Sequence, residues 1–297
     1  MSGPGSPVAL ADWLALREPA DAEARCTELA VSAGVHLAAV YPPEARAAVD
    51  RPEARAAADR PEVRAGADGP VVRDLGAGTG SMARWLSPLL PGPVRWVLQD
   101  ADPAVLARAA VPGARTVAAG VGDLTAADLA GTSLVTASAL LDLLTTTEID
   151  ALVAACAGAG CPALLTLTVT GGVRIDPPDP LDDAVAAAFD AHQRRDHQCR
   201  DTAGSSRLGP DAAGHAATAF GAHGTVHSRP SPWRLGPGHP ELTAEWLRGR
   251  VAAAAEQNSG LPAASYLDRR LRALDDGRIT AEVGHADLLF LPAGGRS

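Results

Sequence analysis

Apolar residues fall at helical spacing from the start of the chain, at Leu10, Trp13, Leu14 and Leu16, and a second helical stretch runs from about Ala20 to Ala39. The pattern then changes. Pro43-Glu44-Ala45-Arg46, Pro52-Glu53-Ala54-Arg55 and Pro61-Glu62-Val63-Arg64 recur every nine residues, and the copies close on Asp50, Asp59 and Asp68. A nine-residue unit is too short to stack into a core, and its prolines interrupt any helix. Residues 43–69 therefore read as a polar, semi-flexible linker between an N-terminal helical segment (1–42) and a main unit (70–297).

From Pro70 onward short apolar runs alternate with helix-like stretches, which predicts a doubly wound α/β fold with a mostly parallel sheet. Strands are expected at 71–74, 94–98, 115–118, 134–136 and 163–169, with a closing pair at 224–227 and 279–292. Helices are expected at 81–90, 103–110, 147–157, 180–195, 211–221 and 240–257, and the stretch around 171–222 reads as an insertion on the substrate side.

Composition narrows the chemistry. All 26 basic residues are arginine, so no Schiff-base lysine or Walker-type phosphate lysine is available. A net charge of −9 with no long basic run disfavours a nucleic-acid partner. Cys26, Cys156, Cys161 and Cys199 are scattered, form no CxxC pair and suggest no metal site. Neither a signal peptide nor a membrane-spanning run is apparent, so a cytoplasmic protein without a membrane partner is expected.

The segment Val71-Val72-Arg73-Asp74-Leu75-Gly76-Ala77-Gly78-Thr79-Gly80-Ser81 carries the strongest signal. A buried strand runs into a turn with glycine at every second position and then into a helix. Glycine permits positive φ and lets a ligand approach the backbone, and the amides at a helix start favour an anion. The spacing is G-x-G-x-G, whereas the dinucleotide fingerprint is G-x-G-x-x-G. Asp74, ahead of the first glycine, would oppose a pyrophosphate but would accept a bond from an amino group. Asp100 ends the second strand, where a carboxylate can take both hydroxyls of a ribose. Asp102-Pro103 reads as a helix start, with Asp102 as its cap. Asp123 follows the third strand.

This order of motifs resembles the class I S-adenosylmethionine (SAM)-dependent methyltransferases, in their small-molecule branch, over about residues 70–170. The resemblance implies a sheet whose last strand is antiparallel. It also implies that SAM is held by Asp74, Gly76, Ala77, Gly78 and Gly80, by Asp100 and Ala101 at the ribose, by Asp123 and Leu124 at the adenine, and by Ser138. It further implies that the N-terminal helices close over SAM, with Arg17 or Arg25 meeting its carboxylate. After the fourth strand the chain reads Ser138-Ala139-Leu140-Leu141-Asp142 and lacks the Asn/Asp-Pro-Pro-Tyr of relatives that methylate nucleobase or glutamine nitrogens.

The acceptor side is thinner. Asp142 and His192 are the candidate proton-handling groups, and Arg195, Trp233 and Arg234 the candidate substrate contacts. Core packing for Trp233 and solvated surface for the others are the plain alternatives. The expected activity is methyl transfer to a small molecule, at oxygen or nitrogen, releasing S-adenosylhomocysteine (SAH). The alternatives are a SAM-binding regulatory or scaffold protein, an RNA or protein methyltransferase, and a dinucleotide-dependent oxidoreductase that the glycine spacing opposes. Oligomeric state is left open.

Overall fold

The computed structural model describes residues 7–41, 69–197 and 207–293, so residues 43–68 of the expected linker and Cys199 lie outside it. Helices α1 (Pro7–Ala24) and α2 (Thr27–Val40) precede a strand–helix alternation: β1 (Val71–Leu75), α3 (Ser81–Leu86), β2 (Arg95–Asp100), α4 (Pro103–Leu106), β3 (Arg115–Ala118), β4 (Leu134–Ser138), α5 (Thr146–Ala159) and β5 (Ala163–Asp176). The chain continues with α6 (Asp182–His197), α7 (Ala212–Gly221), β6 (Gly224–Pro230), β7 (Trp233–Leu235), α8 (Pro240–Gln257), α9 (Ala263–Asp275) and β8 (Thr280–Pro292).

One sheet holds all eight strands in the order β3-β2-β1-β4-β5-β8-β6, with β7 also paired to β8. The first five are parallel, and β8 runs antiparallel to β5, β6 and β7. This is the mostly parallel, doubly wound sheet with a reversed last strand that the resemblance implies. Alternation along each strand fills a core on either face. Leu134, Leu164 and Leu289 point with Val72 toward α2 and α3, among Leu29, Leu37, Met82 and Leu86. Their neighbours Val135, Leu165, Leu288 and Phe290 point toward α5 and α7, among Ile149, Leu152 and Phe220. A capping box at Thr145 and Glu148 starts α5, a device that contributes about 1 kcal/mol.

The departures from expectation have physical causes. The helix expected over 81–90 stops at Leu86, and Pro88 lies in a 3₁₀ turn over Ser87–Leu89. The N-terminal helices part at Arg25–Cys26. β5 continues past Val169 to Asp176 through two register shifts against β8. Its far end pairs with the start of β8, which also pairs with β7, so a three-stranded ribbon extends beyond the sheet. Trp233, Leu235, Val283 and Ala281 of this ribbon pack against Ala20 of α1, Leu242 and Trp246 of α8 and Leu274 of α9. α9 has no counterpart among the expected elements; its buried face joins Tyr266, Ala273 and Leu274 to Arg270, which pairs with Asp182.

Candidate functional site

The glycine loop leaves the carboxyl end of β1, where ligands of open α/β sheets gather. Gly76, Gly78 and Gly80 have φ of 62°, 55° and 85°, in the left-handed region that a Cβ disfavours. A Cβ on Gly76 would stand 2.9 Å from Leu140 Cδ1, and one on Gly78 would stand 3.0 Å from Leu14 Cδ1 of α1. The loop is tied to β2 by the Ala77 N–H, which donates to the Gln99 carbonyl at 3.0 Å.

Asp100 closes β2 directly beside this loop. Its Oδ2 accepts from the Gly78 N–H at 2.9 Å and its Oδ1 from the Asp102 N–H at 3.0 Å. Ala101 is exposed. Asp102 caps α4 as expected, accepting from the amides of Ala104 and Val105. Asp123 is exposed on the loop after β3, and the adjoining Leu124 is buried. The Gln99 side chain braces that loop by donating to the Gly120 carbonyl at 2.8 Å.

The electrostatic centre is a pair of opposite charges. Asp74 is 1% exposed; its Oδ1 accepts from Thr136 Oγ1 at 2.8 Å, and its Oδ2 has no partner among the described residues. Burial pushes its pKa up to about 7, against the pull of the Thr136 hydrogen bond and the Arg25 charge. Arg25 enters from the break between α1 and α2 and is 3% exposed. Its Nη2 donates to Ser81 Oγ at 3.1 Å and Ser138 Oγ at 3.0 Å, while Nε and Nη1 are buried without a partner among the described residues. Buried donors and acceptors left unpaired are costly, so an incoming polar group would be favoured at these atoms. Leu14 against Gly78, Arg25 against Ser81 and Ser138, and a Glu18–Arg84 ion pair seat α1 across the loop.

Beyond β4 the polar groups continue. Asp142 lies in a single 3₁₀ turn, its Oδ1 buried without a partner among the described residues, and burial raises its pKa. Trp233 is buried beneath α1, where its Nε1 donates to Asp21 Oδ1 at 2.9 Å; the Arg17 guanidinium lies 4.8 Å from its ring centre. Arg234 projects from the other face of β7, with its side chain 74% exposed near Glu282. His192 sits between helices, 3.0 Å from Glu256 of α8, and not beside the glycine loop. Arg195 belongs to α6, and its side chain lies outside the described ones.

His285 and Asp287 of β8 lie against Trp233 and Cys26, respectively, and have no counterpart among the expected residues. Their signal was present as polar residues at alternate positions of an apolar strand, which places both on one face. The His285 ring lies 5.2 Å from that of Trp233, and its Nδ1 is 2.9 Å from the Val283 carbonyl. A carbonyl only accepts, so the proton is on Nδ1 and Nε2 carries the lone pair. Burial lowers the His285 pKa to about 4. The ring should stay in the neutral Nδ1–H form down to about pH 5, and stability should fall as pH drops below about 6.5, where the unfolded chain takes up this proton. ¹⁵N NMR of the imidazole checks this; a cationic ring at pH 6 would contradict it.

No family model matches the chain, and no curated protein does. Among solved structures it is similar to the YcgJ protein of Bacillus subtilis, at 14% identity and a TM-score of 0.40, over 76% of this chain and 94% of that one. Cyclopropane synthase MmaA2 of Mycobacterium tuberculosis matches at 13% and 0.38, over 74% and 78%. Phosphoethanolamine N-methyltransferase 2 of Haemonchus contortus, solved with phosphomonomethylethanolamine and SAH, matches at 12% and 0.38, over 76% of this chain and 49% of that one. Identities this low leave ligand and reaction to be argued from the site residues.

Proposed function

We propose that the chain is a SAM-dependent methyltransferase acting on a small molecule, with oxygen or nitrogen as the accepting atom. The observation that carries this reading is that Asp74 and Arg25, opposite in charge and both buried beside the glycine loop, each hold unpartnered atoms. An amino-acid end is a zwitterion, and the pair offers an anion to its ammonium and a cation to its carboxylate. A pyrophosphate would meet Asp74 as a like charge, which disfavours the dinucleotide alternative. The net charge of −9 disfavours nucleic acid as acceptor.

In this reading Asp74, Arg25 and Ser138 hold the methionine end, and the Gly76, Ala77, Gly78 and Gly80 backbone lines the cradle. Asp100 takes the ribose with Ala101 beside it, and Asp123 and Leu124 meet the adenine. SAM, when bound, supplies a methyl group on a sulfonium. The protein must then align the acceptor in line with that methyl and handle its proton. Asp142 and His285 are the groups available to receive it: a carboxyl raised by burial and an imidazole held neutral with a free-tautomer Nε2. Trp233 forms the wall beside them.

Calorimetry tests the central claim. SAM and SAH should bind and NAD(P) should not, and Asp100→Ala should weaken SAM by about 10- to 100-fold, the usual worth of a pair of charge-assisted hydrogen bonds. Binding of NAD(P) in preference to SAM would defeat the reading, as would an Asp100→Ala variant with unchanged affinity.

A further inference from the structure

Asp287 is wholly buried on β8, yet its carboxylate is shared among three distant parts of the chain. Oδ1 accepts from the Leu167 N–H at 2.8 Å and from the Ser231 hydroxyl. Oδ2 accepts from the Cys26 N–H at 2.7 Å. Cys26 is the extended residue that begins α2, with φ −74° and ψ 101°, and its own side chain caps nothing. The carboxylate therefore grips the first turn of α2 from a strand 261 residues away in sequence. Leu167 is a non-glycine residue with φ 56°, in a β5 irregularity that this bond helps to hold.

Cys26 directly follows Arg25, the residue whose guanidinium reaches between Ser81 and Ser138. Fixing one peptide unit fixes the origin of the next side chain. A long arginine side chain has many rotamers to lose, so a pinned backbone limits how much freedom is lost when the guanidinium meets a ligand. We infer that Asp287 is a positioning residue for the cofactor: through the Cys26 amide it sets Arg25 to receive the carboxylate of the amino-acid end, without touching the ligand itself. The inference rests on the proposed SAM site.

Asparagine separates the contacts. Its amide oxygen can still accept from Leu167 and Ser231, which leaves its NH₂ facing the Cys26 N–H, donor against donor. Asp287→Asn thus severs the link to Arg25 while keeping those within the sheet. The probes are SAM and methylthioadenosine, which shares the adenosine and sulfur but has no amino-acid end. Asp287→Asn should weaken SAM by roughly 10-fold and methylthioadenosine by less than about 2-fold, as the loss of one placed charge contact predicts. Arg25→Met should show the same selectivity, and the double variant should be no weaker for SAM than Arg25→Met alone, since residues acting through one contact are not additive. Ser231→Ala, which keeps the carboxylate but loosens it, should repeat the pattern at about threefold and serves if Asp287→Asn does not fold. Equal losses for both probes, unchanged SAM affinity, or multiplicative losses in the double variant would overturn the inference. Failure of the unmodified protein to bind SAM would instead overturn the function proposed above.

Discussion

A Gly78→Arg variant should lose SAM binding by at least about 100-fold, with its thermal unfolding midpoint far less affected. Gly78 sits at φ 55°, where an L-residue costs about 1–2 kcal/mol. Its Cβ would press on Leu14 Cδ1 at 3.0 Å, so α1 would be pushed away from the loop and Arg25 displaced with it. The same backbone amide donates to Asp100, so the carboxylate proposed to hold the ribose would lose its alignment as well. The remainder of the side chain would occupy the cradle and set a second cation beside the sulfonium. Calorimetry with SAM, alongside a thermal melt, reads both effects; retained affinity would remove the glycine loop from the site.

SAM affinity should also depend steeply on pH through Asp74. In the folded protein this group is raised from 3.8 to about 7. A carboxyl with a raised folded pKa favours the fold most when protonated, so the stability it contributes is complete below its unfolded pKa and is lost as pH rises through about 7. Binding an ammonium needs the ionised form, so the ligand works against that preference. Affinity should rise as pH climbs through about 7 and fall toward tenfold per unit well below it, with roughly half a proton released by Asp74 on binding at pH 7. Binding enthalpies in buffers of different ionisation heat count that proton. Asp74→Asn should bind more weakly by about 30-fold and lose the pH dependence between pH 6 and 8, since a neutral amide does not titrate. A pH-independent affinity in the unmodified protein would contradict the role given to Asp74.

Much of the proposed cofactor cradle rests on features that are local in sequence. Glycine spacing, an acid at the end of β2 and a capping aspartate each declare themselves within a few residues, and Asp102 caps α4 as its Asp-Pro dipeptide suggests. The strands of the parallel sheet declare themselves too, as apolar runs bounded by turns. What stayed hidden depends on distant pairing. Arg25 and Arg17 stand level in the sequence, and only the α1–α2 break brings Arg25 to Ser81 and Ser138. Asp287 reads as an interruption in an apolar strand, and only the fold brings it Cys26, Ser231 and Leu167. Trp233 was ambiguous between core and pocket wall for a related reason. It is buried, yet it lies against Arg17, Asp21 and His285, so it serves packing and the polar cluster together.

The seat of α1 ties two equilibria together. Leu14, Glu18 and Arg25 join one helical segment to the glycine loop, to Arg84 and to the serines at Ser81 and Ser138. A molecule that completes Arg25 and Asp74 draws on contacts that exist only while the helix is docked. Linkage is reciprocal, so whatever free energy docking lends to the ligand the ligand returns to docking. A ligand held by Arg25 would therefore also hold the N-terminal helix against the sheet.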